Sequence, residues 1–144
     1  MNDGAGGAGG IAPLAAADAD AAITLWHEAG LTRPWNDPAR DFARALAGPA
    51  STILGLKRDG ALIATVMVGD DGHRGWLYYL AVAADARGQG HGRTMLRAAE
   101  CWLAARGCPK AMLMIRGDNP VGGFYAAAGY ATEDVEVMAR WLKS

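Results

Sequence analysis

Between positions 86 and 96 the chain reads ARGQGHGRTML. Gly88, Gly90 and Gly92 alternate with Gln89 and His91, and Arg87 and Arg93 stand on either side. Each glycine lowers the stability of a helix or strand by up to about 1 kcal/mol. An all-apolar stretch, WLYYLAVA (76–83), precedes them. After them Met95, Leu96, Ala99, Trp102 and Leu103 recur at helical spacing. The glycines therefore stand where a buried strand hands over to an amphipathic helix. A helix N-terminus carries unpaired N–H groups and a partial positive charge, which attract phosphate. Glycines there remove the Cβ atoms that would hold a ligand off the backbone, and the two arginines add charge. The chemistry implied is a diphosphate cradle, against the alternative of an ordinary flexible loop.

Two well-known cradles do not fit. A P-loop needs Lys-Ser/Thr after its last glycine, where this chain has Arg93. A dinucleotide fingerprint starting at Gly88 needs glycine at 93. What remains is Arg-x-x-Gly-x-Gly, from Arg87 to Gly92, with Leu80-Ala81-Val82 before it. A second segment, NPVGGFYAAAGY (119–130), predicts a short helix capped by Asn119, with Pro120 at its first position and Gly129 as its stop. Tyr125 lies along that helix.

The elements that must position these residues follow from periodicity. IAPL (11–14) suits an edge strand, where Pro13 is tolerated. Ala22, Ile23, Trp26 and Ala29 predict a helix over 18–29, with Asp18 near its start and Gly30 as its stop. RPWNDP (33–38) is a stiff loop, followed by a weaker helix over 39–47. Strands are predicted at 52–57 and 61–69, joined at Arg58-Asp59-Gly60, then at 76–83, 111–115 and 134–142. Antiparallel hairpins followed by a strand–helix–strand crossover make one mixed α/β domain. The glycine-rich stretch 1–10 is expected to be a disordered tail, leaving 11–144 as the domain.

Composition narrows the function classes. The chain has 144 residues, a formal net charge of −1 and no basic stripe. That argues against a nucleic-acid partner and against polybasic membrane binding. No apolar run approaches the roughly 20 residues of a transmembrane helix, and the N-terminus lacks the order of a signal peptide. A cytoplasmic location is the expectation. Cys101 and Cys108 fit no zinc spacing and are expected to be inert buried or semi-buried thiols. His27, His73 and His91 form no i, i+4 pair, so no metal is expected.

Leu80-Ala81-Val82 with Arg87…Gly92, together with NPVGGFYAAAGY, closely resemble the two motifs of the GNAT superfamily of acyl-CoA N-acyltransferases. RPWNDP and DGHRG further resemble its small bacterial branch called YpeA-like acetyltransferases. The resemblance spans about 11–142. It implies a central mixed sheet of six to seven strands flanked by about four helices, with two strands splayed at the cofactor site. It implies acetyl-CoA as acyl donor and a primary amine as acceptor, either a small molecule or a peptide. The backbone of Leu80, Ala81 and Val82 would pair with the pantetheine arm, and an N–H near Val82 would polarise the thioester carbonyl. The backbone across Arg87, Gly88, Gln89, Gly90, His91, Gly92 and Arg93 would hold the diphosphate, and Asn119 belongs to the same cofactor set.

Tyr125 is the implied general acid to the departing CoA thiolate, with a core role as its alternative. The family more often separates this Asn and Tyr by seven residues, so Asp118 competes with Asn119 for the position. Six residues swing a pair by about 100° around a helix. The base is not evident; Asp71, His73 and Tyr79 are candidates, although Asp71 suits a turn and His73 a solvated loop. Trp35 and Asn36, in the loop that overhangs the acceptor side, are candidates for substrate contact. The tail VEVMARWL (135–142) could support a homodimer or complete the core. Competing readings are a GNAT-fold CoA-binding sensor or interaction module without catalysis, and a non-CoA nucleotide binder.

Overall fold

The computed structural model describes residues 10–117 and 119–142. The chain divides into two compact units, Met1–Met114 and Ile115–Ser144. Positions 1–9, most of the expected tail, and Asp118 lie outside the described residues.

The first unit holds β1 (Ile11–Pro13), α1 (Ala19–Glu28), α2 (Pro38–Ala47), β2 (Ser51–Arg58), β3 (Ala61–Asp70), β4 (Gly75–Val82), α3 (His91–Ala105) and β5 (Ala111–Leu113). The strands form one sheet in chain order, β1-β2-β3-β4-β5. Pairing is antiparallel up to β4 and parallel between β4 and β5. Local chemistry explains the boundaries. Asp37 caps α2 by accepting from the N–H groups of Ala39 and Arg40, with Pro38 in the first turn. Asp59 and Gly60 both take positive φ, the conformation a two-residue hairpin turn requires.

Alternation along β3 sorts the two faces of the sheet. Thr65 and Met67 face α1 and α2, in a cluster with Trp26, Phe42, Ile53 and Ala81. Ala64, Val66 and Val68 face the other way and are fully buried. On that second face Leu77 pairs with Val68, and Leu103 of α3 seats directly on Gly75. The stripe of α3 that it buries is Met95, Leu96, Ala99 and Leu103. Cys101 falls off that stripe and is exposed, so the expectation of a buried thiol there is corrected; Cys108 is half-buried, and both are free.

The mixed α/β class holds, with four α-helices and with five strands rather than the expected six to seven among the described residues. Two expectations do not. The strand predicted at 134–142 is absent: positions 130–142 carry no helix or strand, and Val135, Val137, Met138, Trp141 and Leu142 are exposed. Alternating apolar residues supply a strand's face, but a strand also needs its backbone groups paired along a partner edge, and positions 130–142 make no such pairing.

The second correction concerns the second unit, where α4 spans Gly122–Ala127 with Val121, not Asn119, at its N-cap. The Asn119 carbonyl accepts from the Val121 N–H at 2.9 Å. That tight turn ends before the helix begins, and it puts Pro120 outside the helix. Asn119 and Tyr125 therefore do not share a helical face.

Candidate active site

β4 is paired on one edge over its whole length but on the other only where Gly75, Trp76 and Leu77 meet Ala111, Met112 and Leu113. β5 ends at Leu113, opposite Leu77. The backbone edge of Leu80, Ala81 and Val82 therefore has no β5 partner. Across the other edge Thr65 pairs with Ala81 and Ala64 with Val82.

A bulge shapes this stretch. Met67 faces Tyr78 and Thr65 faces Ala81, so Tyr79 and Leu80 together oppose Val66 alone. Tyr79 takes φ +52°, the left-handed region that a bulky residue occupies only under constraint. Four contacts supply the constraint. Its ring stacks on Trp26 with centroids 3.9 Å apart. The Trp26 indole donates to Thr65 Oγ1 at 2.9 Å, and that hydroxyl donates to the Tyr79 carbonyl at 2.9 Å. The Tyr79 phenol donates to Asp41 Oδ2 at 2.7 Å. Burial first, then the Asp41 carboxylate, push the Tyr79 phenol well above its ordinary pKa. Tyr79 is thus held as a protonated donor, which does not suit a base.

The glycine loop follows β4 directly. Gly88 and Gly90 both take positive φ, and a Cβ on either would meet open space on the protein side. Gly90 is the N-cap of α3, and no side chain caps the helix. Its first intrahelical bond runs from the Thr94 N–H to the Gly90 carbonyl. The N–H groups of His91, Gly92 and Arg93 find no acceptor among the described residues. These are the orphan donors that attract an anion. Side chains brace the loop: Arg87 Nε donates to the Val82 carbonyl at 3.1 Å, and Arg58 donates to Gln89 Oε1 at 3.1 Å. His91 Nε2 lies 3.2 Å from the same Gln89 oxygen. Arg87 thereby ties the loop to the end of β4.

The remaining candidates are spread out. Asp71 and His73 lie in the turn before β4, at its end away from the glycines. Asp71 accepts from the N–H groups of His73 and Arg74 and from the Trp76 indole. Those backbone bonds hold its carboxyl below the ordinary range, and His73 is exposed. Trp35 is 51% exposed. Asn36 is exposed beside it, its N–H donating to the Arg33 carbonyl.

In the second unit the Tyr125 ring meets Phe124 and Tyr130 edge-on, at 5.0 and 5.9 Å between centroids. Burial raises its phenol's pKa. Asn119 contributes backbone bonds to the turn before α4.

Sequence reading missed Asp41, Thr65 and Tyr78. Asp41 looks like an ordinary acidic residue in a helix's first turn, and only the fold brings it to Tyr79. The pair Tyr78-Tyr79 inside an apolar strand is the one signal that was available. Among the described residues no three or more His, Cys, Asp or Glu are grouped to hold a metal, and no helix is long and apolar enough to cross a membrane.

The acetyltransferase (GNAT) family model matches residues 20–130. An acetyltransferase of Pectobacterium atrosepticum is 43% identical over 126 residues, covering 87% of this chain and 89% of that protein. One of Yersinia enterocolitica is 41% identical over the same shares. Among solved structures, a predicted acetyltransferase from Clostridium acetobutylicum with acetyl-CoA superposes with a TM-score of 0.74 at 16% identity. It covers 90% of this chain and 94% of its own.

Proposed function

The chain belongs to the acetyltransferase (GNAT) family and is an acyl-CoA N-acyltransferase, and from that premise we propose that it transfers the acetyl group of acetyl-CoA to a primary amine. The observation that carries the reading is the pairing of two unfilled backbone surfaces on adjoining elements. One is the edge of β4 at Leu80–Val82, which has no β5 partner and where, among the described residues, the Val82 carbonyl accepts only from Arg87 Nε, and the other is the uncapped start of α3 after Gly88 and Gly90. The two lie in series, as a molecule with a polyanionic head and a long amide-bearing arm would need.

In this reading the N–H groups of His91, Gly92 and Arg93 and the loop from Arg87 hold the diphosphate, and the edge of β4 orients the arm. The bound donor supplies a thioester carbonyl. The chain's part is to hold that carbonyl near a backbone N–H at Val82 while the amine nitrogen attacks. The C–S bond breaks as the amide forms, the sulfur takes a proton from the Tyr125 phenol, and the proton lost by the attacking nitrogen passes to solvent, from which the Tyr125 phenolate is reprotonated. A phenol is protonated at neutral pH, as a proton donor must be, and burial raises the Tyr125 pKa further.

The test is calorimetry with acetyl-CoA, ATP and NAD, followed by an amine screen with mass detection of the acetylated product. Acetyl-CoA binding with an N-acetylated amine supports the reading. Binding without turnover across the screen favours a CoA-binding module, and preference for ATP or NAD overturns the reading.

A further inference from the structure

Away from the glycine loop, an open cavity of about 350 Å³ lies on the α1–α2 face of the sheet. It is bounded by Gly48–Ser51 at the start of β2, by Gly69–Asp71 at the end of β3, and by Trp76 and Tyr78 of β4. Its volume falls within the range of small-molecule sites. Its chemistry is of one kind. Two aromatic side chains form a wall, two aspartates stand at one end, and no lysine, arginine or histidine lines it.

The two carboxylates are not equivalent. Asp70 Oδ2 lies 3.6 Å from Arg106 Nε, so its charge is offset. Asp71 receives two backbone N–H groups and the Trp76 indole, all neutral donors. Among the described residues no ion pair holds it, although the His73 charge also acts on it, and its field reaches the cavity wall: after burial, the Asp71 charge is the second cause that raises the Tyr78 phenol's pKa. Tyr78 is 42% exposed although it lies mid-strand, so the wall is open to a ligand. A carboxylate beside aromatic faces favours an organic cation, through charge attraction and through the negative ring faces.

The cavity's place in the fold gives it a role. Leu77 is the last residue of β4 paired to β5, and Tyr78 is the next. A donor headed at residues 87–93, with its arm laid back along Val82 to Leu80, points its acyl end toward Tyr79 and Tyr78. The bulge turns Tyr78 and Tyr79 to the same face, joining the end of that line to the cavity.

We infer that this cavity is the acceptor's docking site, and that the acceptor carries, besides the neutral amine that attacks, an ammonium group on an apolar or aromatic body: the ammonium toward Asp71, the body on Trp76 and Tyr78, and the attacking amine toward Tyr79. The acceptor role rests on the acetyl-transfer reading above; the binding preference does not.

The closing experiment therefore begins without any donor. 2-Phenylethylammonium, neutral 2-phenylethanol and anionic 3-phenylpropionate are titrated into the full chain. The Trp76 indole N–H resonance is followed by NMR, identified by its loss in Trp76→Phe. The expected result is saturable binding of the ammonium, at least tenfold weaker binding of the alcohol, and none of the carboxylate. Asp71→Asn keeps an oxygen for the turn's N–H groups and should weaken the ammonium tenfold or more. Equal response to all three probes, or ammonium binding untouched by Asp71→Asn or by Tyr78→Leu, overturns the site. In turnover with an acceptor from the screen, Asp71→Asn should raise the amine KM tenfold or more and leave acetyl-CoA affinity unchanged. An unchanged KM overturns the acceptor role. Failure of acetyl-CoA to bind would instead sink the acetyl-transfer reading and leave the NMR result standing.

Discussion

The Tyr79 hydroxyl donates to Asp41 Oδ2 at 2.7 Å while the Tyr79 carbonyl accepts from Thr65 Oγ1 at 2.9 Å. One residue is thus clamped at both ends, its side chain by α2 and its backbone by β3. The clamp matters because Tyr79 precedes the strand edge assigned to the donor's arm. Left-handed backbone costs a non-glycine residue roughly 1–2 kcal/mol, and without these partners the bulge would relax toward regular strand. Thr65→Val keeps the shape but strips the buried Trp26 indole and the Tyr79 carbonyl of their shared partner. The expected cost is about 1–3 kcal/mol in urea unfolding. Acetyl-CoA affinity should also fall, whereas adenosine 3′,5′-bisphosphate, which lacks the arm, should bind as before. Equal losses for the two ligands would argue against a role for the bulge in arm binding.

The same bond predicts a pH dependence. Tyr79 holds its proton above the ordinary phenol value of 10.0 when folded. Below pH 10 both states keep the proton, and the contribution is fully present. As pH rises beyond 10 the unfolded chain releases it and the folded one does not, so stability falls. Tyr78 and Tyr125 are shifted in the same direction and steepen the loss. The melting temperature should therefore drop between pH 9 and 11, with a shallower slope in Tyr79→Phe. A variant as steep as the parent would remove Tyr79 as the source.

Gly75 provides a packing test. A Cβ there would lie 2.4 Å from Leu103 Cδ1, and Leu103 is only 2% exposed. The side chain has nowhere to retreat, since α3 is buried along the same stripe. Gly75→Ala should cost about 1–3 kcal/mol by overpacking. The double variant with Leu103→Ala should recover part of that cost. If Gly75→Ala unfolds at the parental denaturant midpoint, the close approach of α3 to β4 is wrong.

How much of this was legible in the sequence depends on the range of the forces involved. Asp37-Pro38, Asp59-Gly60 and the Gly90–Leu103 pattern set their elements through neighbours in the chain, and those elements stand close to where periodicity puts them. Asp41 meets Tyr79 across 38 positions, and nothing local to either residue announces the bond. The bulge is similarly invisible, because WLYYLAVA reads as unbroken strand until its pairing with β3 is known. The tail VEVMARWL shows the opposite failure: its alternation is strand-like, but pairing partners are a property of the fold. At Asn119 the capping pattern was present, yet a turn closed by its own carbonyl took precedence.

The glycine loop invites a comparison of two equally strained positions. Gly90 has φ +83° and Gly60 has φ +81°, and neither has a neighbour within 4 Å of an added Cβ. Alanine at either site carries about the same backbone cost, roughly 1–2 kcal/mol. Only Gly90 stands at the start of α3. Gly90→Ala should weaken acetyl-CoA binding tenfold or more in calorimetry, whereas Gly60→Ala, in the β2–β3 turn, should leave it unchanged. Similar affinities in the two variants would show that the loop's backbone does not grip the donor.

The last prediction concerns the proton. A thiolate leaving group gains from a nearby acid only if that acid is protonated at working pH and not already donating to a permanent partner. Tyr125 meets the first condition, as a phenol whose pKa burial raises further, and its described contacts to Phe124 and Tyr130 are ring contacts rather than hydrogen bonds of its hydroxyl. Phenylalanine keeps those edge-on contacts and removes only the O–H. Tyr125→Phe should therefore fold with parental stability and bind acetyl-CoA with parental affinity. Its kcat should fall by about 10²–10⁴-fold, the usual contribution of a general acid. The loss should be smaller with acyl donors whose thiol leaving group is more acidic, because such a thiolate needs less help. A uniform loss across donors would assign Tyr125 to packing, and an unchanged kcat would take the acid role away from it.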